Sequence, residues 1–177
     1  GFYLDIIKDR QYTTQVDSRA RRSAQTALFH LSEALCRWIA PILSFTAEEI
    51  WENLPGKREE SIFLTEWYVL ENMTDLVDES LWSCCQSVRH EVNKAIEIRR
   101  AAGEMRGSLD AVITLYVSSV LHDALEILGD ELRFVLITSE AHLRPFDEAP
   151  ADAHRSEMAG LKIVVALSAS EKCERCW

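Results

Sequence analysis

The last residues of the chain carry the pattern most typical of a chemical site. Cys173 and Cys176 are separated by two residues, which lets both thiolates reach one tetrahedral zinc ion. A closed structural zinc site needs four ligands, and Cys36, Cys84 and Cys85 fall on predicted helices without matching geometry. We therefore expect half a zinc site and no tightly held zinc in this chain. A redox role is less favoured, because the pair does not open a helix after a buried strand.

A second group of candidate residues is basic and lies near the start of the sequence. Arginine binds phosphate oxygens through paired hydrogen bonds, so a row of arginines on one helix face is a candidate contact for nucleic acid. The candidates are Lys8, Arg10, Arg19, Arg21, Arg22 and Arg37. The alternative is an ordinary solvated face with ion pairs to Asp9, Asp17 or Glu33. The residue pattern alone leaves both open.

The overall charge limits where nucleic acid could bind. A formal net charge of −10 argues against binding over the whole surface, because phosphate binding depends on lysine and arginine. Residues 1–60 have nearly balanced charge, with 8 basic and 9 acidic residues, so any basic face must come mainly from this third of the chain. The five histidines are scattered and none is grouped with a nucleophile or metal ligands. We nominate no catalytic residue.

Composition favours a folded protein of the cytoplasm. Hydrophobic residues make up 47% of the chain, which is too many for a disordered tail. No apolar run approaches the length that spans a bilayer, so no membrane partner is expected. The odd number of cysteines fits reduced thiols better than a disulfide framework.

Two helices are predicted in the first third of the chain. The first is capped by Asp17 or Ser18 and is expected to end or kink at Pro41, which lacks an amide hydrogen. Its apolar stripe, which includes Trp38, is predicted to be core. The opposite stripe is predicted to face solvent and consists of Arg19, Arg22, Thr26, His30, Glu33 and Arg37.

The second predicted helix has capping-box spacing at Thr46 and Glu49, buries Trp51, and stops at Pro55-Gly56. A short extended segment is predicted for 61–67. A base-stacking role for Trp38 and Trp51 is the minority interpretation.

The remainder of the chain changes from helix to a mixed α/β pattern. A long helix is predicted from Glu79 to about Ala102. Alternation at 112–117 and 161–167 predicts strands, with a helix after the first and a short extended stretch at 141–144. The strand order does not follow from the sequence.

Seven segments in order along the chain resemble the isoleucyl-tRNA synthetase family. They are FYLDIIKDRQYT (2–13), RRSAQTAL (21–28), EALCRWIAPILSFTAEEIW (33–51), LPG (54–56), VRHEVNKAIE (88–97), GDELRFVLITS (129–139) and CERCW (173–177). The valyl, leucyl and methionyl enzymes share the helical bundle, so the cysteine pair is the feature that narrows the resemblance to the bacterial isoleucyl enzymes. The stretch RRAAGEMRGSLDA at 99–111 departs from the family pattern, and we assign its residues no function.

The resemblance implies a mainly α chain: an incomplete class I synthetase anticodon-binding bundle followed by a small α/β unit. It implies four parts, namely a partial bundle at 1–78, a connecting helix at 79–106, the α/β unit at 107–170, and the start of a truncated zinc module at 171–177. The HIGH and KMSKS signatures of the catalytic domain are absent from the sequence. The chain is therefore expected to be a non-catalytic, carboxy-terminal piece of the enzyme.

The same resemblance implies partners and cofactors. The expected partner is tRNA(Ile), gripped at its anticodon arm by the basic residues above and by Trp177. In the complete enzyme, expected to be a monomer, Cys173 and Cys176 would ligate zinc, while ATP and magnesium would bind to the catalytic domain. The alternatives are the same region of a valyl-tRNA synthetase and a non-catalytic helical protein-interaction module.

Overall fold

The computed structural model describes residues 2–71 and 78–170, which form two compact units. Of the described residues, unit 1 comprises 2–8 and 78–170, and unit 2 comprises 9–71. In the described part of the chain, no helix is both long enough and apolar enough to cross a membrane. Helix α1 (Phe2–Ile6) belongs to unit 1, and the boundary between the units falls within α2 (Lys8–Tyr12).

Unit 2 is built on a helical hairpin. Helix α3 spans Arg19–Ile39, and the Ser18 hydroxyl accepts a hydrogen bond from the Arg21 amide, so the predicted cap is confirmed. The helix ends immediately before Ala40-Pro41, also as predicted. Helix α4 spans Ser44–Asn53.

Two local predictions in unit 2 are wrong. Thr46 lies inside α4, whose N-cap is Leu43 with no side-chain cap, so there is no capping box. The segment predicted to be extended contains a short 3₁₀ turn at Ile62–Leu64. Its N-cap, Ser61, accepts a hydrogen bond from the Phe63 amide, and this local bond favours a turn over a strand.

The core of unit 2 is small. Its buried side chains come from the carboxyl end of α3, from α4 and from the 3₁₀ turn, and they are Cys36, Ala40, Ala47, Trp51 and Ile62. Much of the predicted apolar stripe of α3 stays exposed, including Leu31, Leu35 and Trp38. The described part of unit 2 thus covers only one side of its longest helix.

Unit 1 packs helices on a four-stranded mixed sheet with strand order β2-β1-β4-β3. The strands are β1 (Ala111–Val117), β2 (Glu140–Pro145), β3 (His154–Arg155) and β4 (Leu161–Leu167). β1 is parallel to β2 and antiparallel to β4, and β3 is antiparallel to β4. Helices α6 (Ser119–Glu126) and α7 (Leu132–Leu136) connect β1 to β2, as a parallel pair requires.

Helix α5 (Glu79–Ala101) supplies the other half of the unit 1 core. Side chains buried at helical spacing include Cys85, Val88, Val92 and Ile96, as its periodicity predicts. They belong to one cluster with the inward side chains of β1 and β4. The alternating burial of both strands confirms the period-two prediction.

Candidate nucleic-acid interface

The first turn of α3 presents the most accessible of the predicted phosphate contacts. Arg19 and Arg22 are exposed, and neither side chain has a hydrogen-bond or ionic partner within residues 2–71 and 78–170. They lie three residues apart, so they share one face of the helix. Both guanidinium groups are therefore available to bind an anion from solvent.

Arg21 lies on a different face and is partly buried. Its Nη1 donates to the Thr14 carbonyl at 3.2 Å, which ties the start of α3 to the preceding turn. Its Nε is buried without a hydrogen-bond partner among the described residues. Arg21 thus contributes to local structure. Its predicted phosphate contact would have to come from the end of the guanidinium group, because Nε is buried.

Lys8 and Arg10 both have partners. Lys8 Nζ pairs with Asp5 at 2.8 Å, and this hydrogen bond lowers the pKa of Asp5. Arg10 is partly buried, and its carbonyl accepts a hydrogen bond from the Thr14 hydroxyl. Asp5 is thus one acid that pairs with Lys8, and it was not among the acids considered from the sequence.

At its carboxyl half, the predicted solvent stripe is buried, which corrects the prediction for Glu33 and Arg37. Glu33 is 5% exposed, and its two carboxylate oxygens accept hydrogen bonds from Arg37 Nη1 at 2.7 Å and Arg58 Nη1 at 2.5 Å. The arginine side chains are themselves only 14% and 11% exposed. The segment around Arg58 covers this end of the stripe, a long-range packing that helical periodicity does not reveal.

The indole of Trp51 completes this cluster. The guanidinium carbons of Arg37 and Arg58 lie 4.7 and 4.6 Å from its ring centroid, and its Nε1 donates to the Glu59 carbonyl at 3.0 Å. At 3% exposure, Trp51 confirms the prediction that it is core. Cation–π contacts of desolvated arginines stabilise such an arrangement.

Two opposing effects set the protonation of Glu33. Burial alone would raise its pKa, but hydrogen bonds from Arg37 and Arg58, together with their charges, outweigh burial and lower the pKa below its ordinary value. Glu33 is therefore an anion at neutral pH and neutralises much of the positive charge beside it. Arg37 and Arg58 are consequently less available to phosphate than Arg19 and Arg22.

Exposed aromatic side chains lie on the same unit. Trp38, predicted to be core, is 36% exposed and stacks on Trp67 with ring centroids 6.3 Å apart, so that prediction is wrong. His30 Nδ1 lies 2.6 Å from the Tyr68 hydroxyl, and Phe29 contacts His30 edge to face at 5.5 Å. Phe29 and Trp67 were not predicted as site residues, and His30 was predicted only as part of the solvent stripe. The spacing of 29 and 30 from Arg22 places both residues beside the arginines.

A groove of about 400 Å³ opens where the exposed and covered halves of the stripe meet. Its lining includes Phe29, Arg37, Trp51, Lys57 and Arg58. Lys57 is exposed, and it follows the end of α4 at Asn53 and the turn at Pro55-Gly56. Lys57 and Arg58 were not predicted as site residues, because no periodic pattern connects them to α3.

The predicted metal ligands Cys173 and Cys176, with Trp177, lie outside the described residues. Cys36, Cys84 and Cys85 are free thiols, and burial raises the pKa of all three, that of Cys85 to about 11. Within 2–71 and 78–170, the one group of three metal-capable side chains is His122, Asp123 and Glu126 on α6, which contains no cysteine.

Residues 1–115 match the anticodon-binding domain of tRNA ligases, which is well over half of the chain. The chain therefore belongs to the family of tRNA ligase anticodon-binding domains.

Its relatives are more specific. The whole chain is 57% identical to isoleucine–tRNA ligases from Shewanella amazonensis and Alcanivorax borkumensis, and 54% identical to that of Proteus mirabilis. Each match includes 100% of this chain but only 19% of the length of the ligase. The chain thus corresponds to about one fifth of an isoleucine–tRNA ligase, and the resemblance inferred from the sequence is confirmed.

Proposed function

We propose that this chain binds the anticodon arm of tRNA(Ile) within an isoleucine–tRNA ligase. The family match over residues 1–115 carries the proposal. The complete enzyme would join isoleucine to its tRNA with ATP and magnesium, and the domains that perform this reaction would lie outside this chain. We also propose that the complete enzyme is a cytoplasmic monomer. The relatives named above are isoleucine–tRNA ligases, which favours this enzyme over a valyl-tRNA synthetase.

Within this proposal, Arg19 and Arg22 are the direct phosphate contacts. They are exposed and unpartnered in the described residues, whereas Arg37 is held by Glu33. We assign Arg37 to packing against Trp51, where it would shape the groove without touching RNA. Contacts from Lys8, Arg10, Arg21 and Trp177 stay predictions, as does a zinc site that includes Cys173 and Cys176.

The larger architecture is also part of the proposal. The class I bundle would comprise residues 1–78 and be linked by 79–106 to an α/β support at 107–170, with 171–177 opening a zinc module. The buried carboxylate of Glu91 on α5 supports a bracing role for that helix. It accepts hydrogen bonds from Lys94, from the Ser156 hydroxyl and from the Glu157 amide.

The experiment compares binding of the full 177-residue chain to tRNA(Ile) and to the same tRNA with an exchanged anticodon, by fluorescence anisotropy at fixed salt. Tighter binding to tRNA(Ile) is the expected result, because base contacts in the loop carry the discrimination. Equal affinity for the two RNAs, or no binding at low salt, would contradict the proposal. Absence of binding would instead favour a protein-interaction module.

A further inference from the structure

The described helices of unit 1 pack on one side of its sheet. The inward residues of β1 and β4 belong to one buried cluster with side chains of α5, α6 and α7. In the described part of the chain, that cluster contains none of the residues that alternate with them, which are Val112, Thr114, Tyr116, Lys162, Val164 and Ala166. These six side chains are therefore directed to the outer face of the sheet, away from the helices.

One row across this outer face is rich in cations. The strand register places Tyr116 between Arg144 on β2 and Lys162 on β4. It also places Arg155 on β3 beside Lys162. Residues paired across neighbouring strands share one face, so these four side chains form a row that crosses all four strands and is about 14 Å long. We call it the cationic row.

The charges of the cationic row are not neutralised on this face. Arg144 and Arg155 are exposed, and neither has an acidic partner among residues 2–71 and 78–170. Lys162 Nζ lies 4.3 Å from the centroid of the Phe146 ring, a cation–π contact that leaves its charge in place. Among the outward residues of the four strands, the one acid is Glu140, two rows away. The row is therefore a local positive surface on a chain with a net charge of −10.

Beside the cationic row, the outer face is mostly aliphatic. The register pairs Thr114 with Val164 and Val112 with Ala166, and we call these four side chains the aliphatic patch. Ala166 is exposed and the other three are half-buried. Such a face is stabilised when another element packs on it, because packing removes apolar surface from water.

We propose that the outer face of this sheet docks an amphipathic helix of a partner protein, with acidic side chains over the cationic row and apolar side chains over the aliphatic patch. A helix of about ten residues is about 15 Å long, which matches the length of the row. Its acidic flank complements the charges of Arg144, Lys162 and Arg155. The surface lies in unit 1, so the inference goes beyond the proposed tRNA contacts of α3.

The composition of the outer face favours a protein helix over RNA. RNA would use the cationic row, but aliphatic side chains offer it neither charge nor aromatic rings. A phosphate chain that continued past the row would also meet the carboxylates of Asp147 and Glu148, which are exposed directly after Phe146. A helix carries acids on one flank alone, so its other residues are free to be apolar or basic.

The probe is a synthetic helical peptide of about 14 residues, with glutamates along one flank and leucines along the adjoining flank. Its binding to the isotope-labelled full chain is followed by NMR, and its affinity by fluorescence anisotropy. The amide signals of Tyr116, Lys162 and Val164 should shift on binding. A matched peptide with glutamine in place of glutamate should bind at least about 5-fold more weakly, because it lacks the charges.

Two double variants distinguish this surface from the RNA surface. Arg144→Gln/Arg155→Gln should weaken binding of the glutamate peptide at least about 5-fold and leave tRNA(Ile) affinity and the circular dichroism spectrum unchanged. Arg19→Gln/Arg22→Gln is the matched control, and it should bind the peptide like the parent chain. Val164→Thr keeps the shape of the side chain and should weaken peptide binding about 3-fold, because it removes apolar contact.

Several results would overturn the inference. They are no binding of the glutamate peptide, equal binding of the two peptides, or unchanged peptide affinity in Arg144→Gln/Arg155→Gln. Loss of tRNA affinity in that variant would assign the cationic row to RNA. Self-association of the parent chain in analytical ultracentrifugation, abolished in the same variant, would assign the row to a second copy. Failure of the parent chain to bind tRNA would refute the proposed function and leave the peptide result standing.

Discussion

Glu33 accepts a 2.7 Å hydrogen bond from Arg37, one helical turn later on α3, and the pair is almost completely removed from solvent. Arg58 pairs with the other oxygen of the same carboxylate. One carboxylate thus fixes two guanidinium groups against Trp51. This arrangement leaves Arg19 and Arg22, at the other end of the helix, as the arginines of α3 that are exposed to a ligand.

Glu33→Gln should destabilise the chain by about 3 kcal/mol, because it leaves two buried arginines without an anion. The measurement is urea unfolding followed by tryptophan fluorescence, since Trp51 lies inside the cluster. Glu52→Gln on the exposed side of α4 makes the same chemical change and should alter the unfolding free energy by less than about 0.5 kcal/mol. Equal effects of the two variants would show that the ion pairs add no stability.

Acid should weaken the link between α5 and the loop before β4. Hydrogen bonds from Lys94, Ser156 and the Glu157 amide outweigh burial and lower the pKa of Glu91 to about 2. Because this pKa lies below that of the unfolded chain, the stabilisation is full above about pH 4.5 and is lost as pH falls toward 2.

Unfolding free energies measured across this pH range check the assignment to Glu91. Glu91→Gln should be less stable than the parent at pH 7, by about 2 kcal/mol, and should lose less stability on acidification. Parallel pH profiles for the two chains would assign the acid sensitivity to other carboxylates.

Gly160 is expected to resist substitution more than Gly103, although both have φ near +75°. A Cβ at Gly160 would lie 2.8 Å from the Ser118 hydroxyl oxygen and 3.0 Å from its Cβ, whereas a Cβ at Gly103 meets nothing within 4 Å. Gly103→Ala should cost about 1 kcal/mol from the backbone conformation alone. Gly160→Ala should cost about 1 kcal/mol more, and thermal unfolding of the two variants would reveal whether the clash matters.

Local patterns were sufficient for most elements of this fold. The length of α5 and the alternation of β1 and β4 follow from side-chain periodicity, because each of these elements buries one regular face. The sheet order and the parallel pairing of β1 with β2 could not be predicted, since they depend on contacts between residues far apart in sequence.

The residues of the candidate site could be predicted from the sequence only in part, because the burial of some of them depends on contacts between residues far apart in the chain. The sequence placed Glu33 and Arg37 in a polar stripe, and nothing local indicated that Arg58, 25 residues from Glu33, would cover them. A glutamate four residues before an arginine on a helix predicts an ion pair, but it does not predict that the ion pair is buried. The exposure of Trp38 likewise depends on which segments pack on α3.

The most direct test of phosphate binding by α3 is a salt titration of tRNA(Ile) affinity for the parent chain and for Arg19→Gln/Arg22→Gln. The control is Arg144→Gln/Arg155→Gln, which removes two exposed arginines from unit 1. If Arg19 and Arg22 contact phosphates, their loss lowers affinity and reduces the slope of log K against log salt by about 2, while the control keeps the parent slope. An unchanged slope for Arg19→Gln/Arg22→Gln, or the same reduction in the control, would contradict the assignment of the RNA surface to this helix.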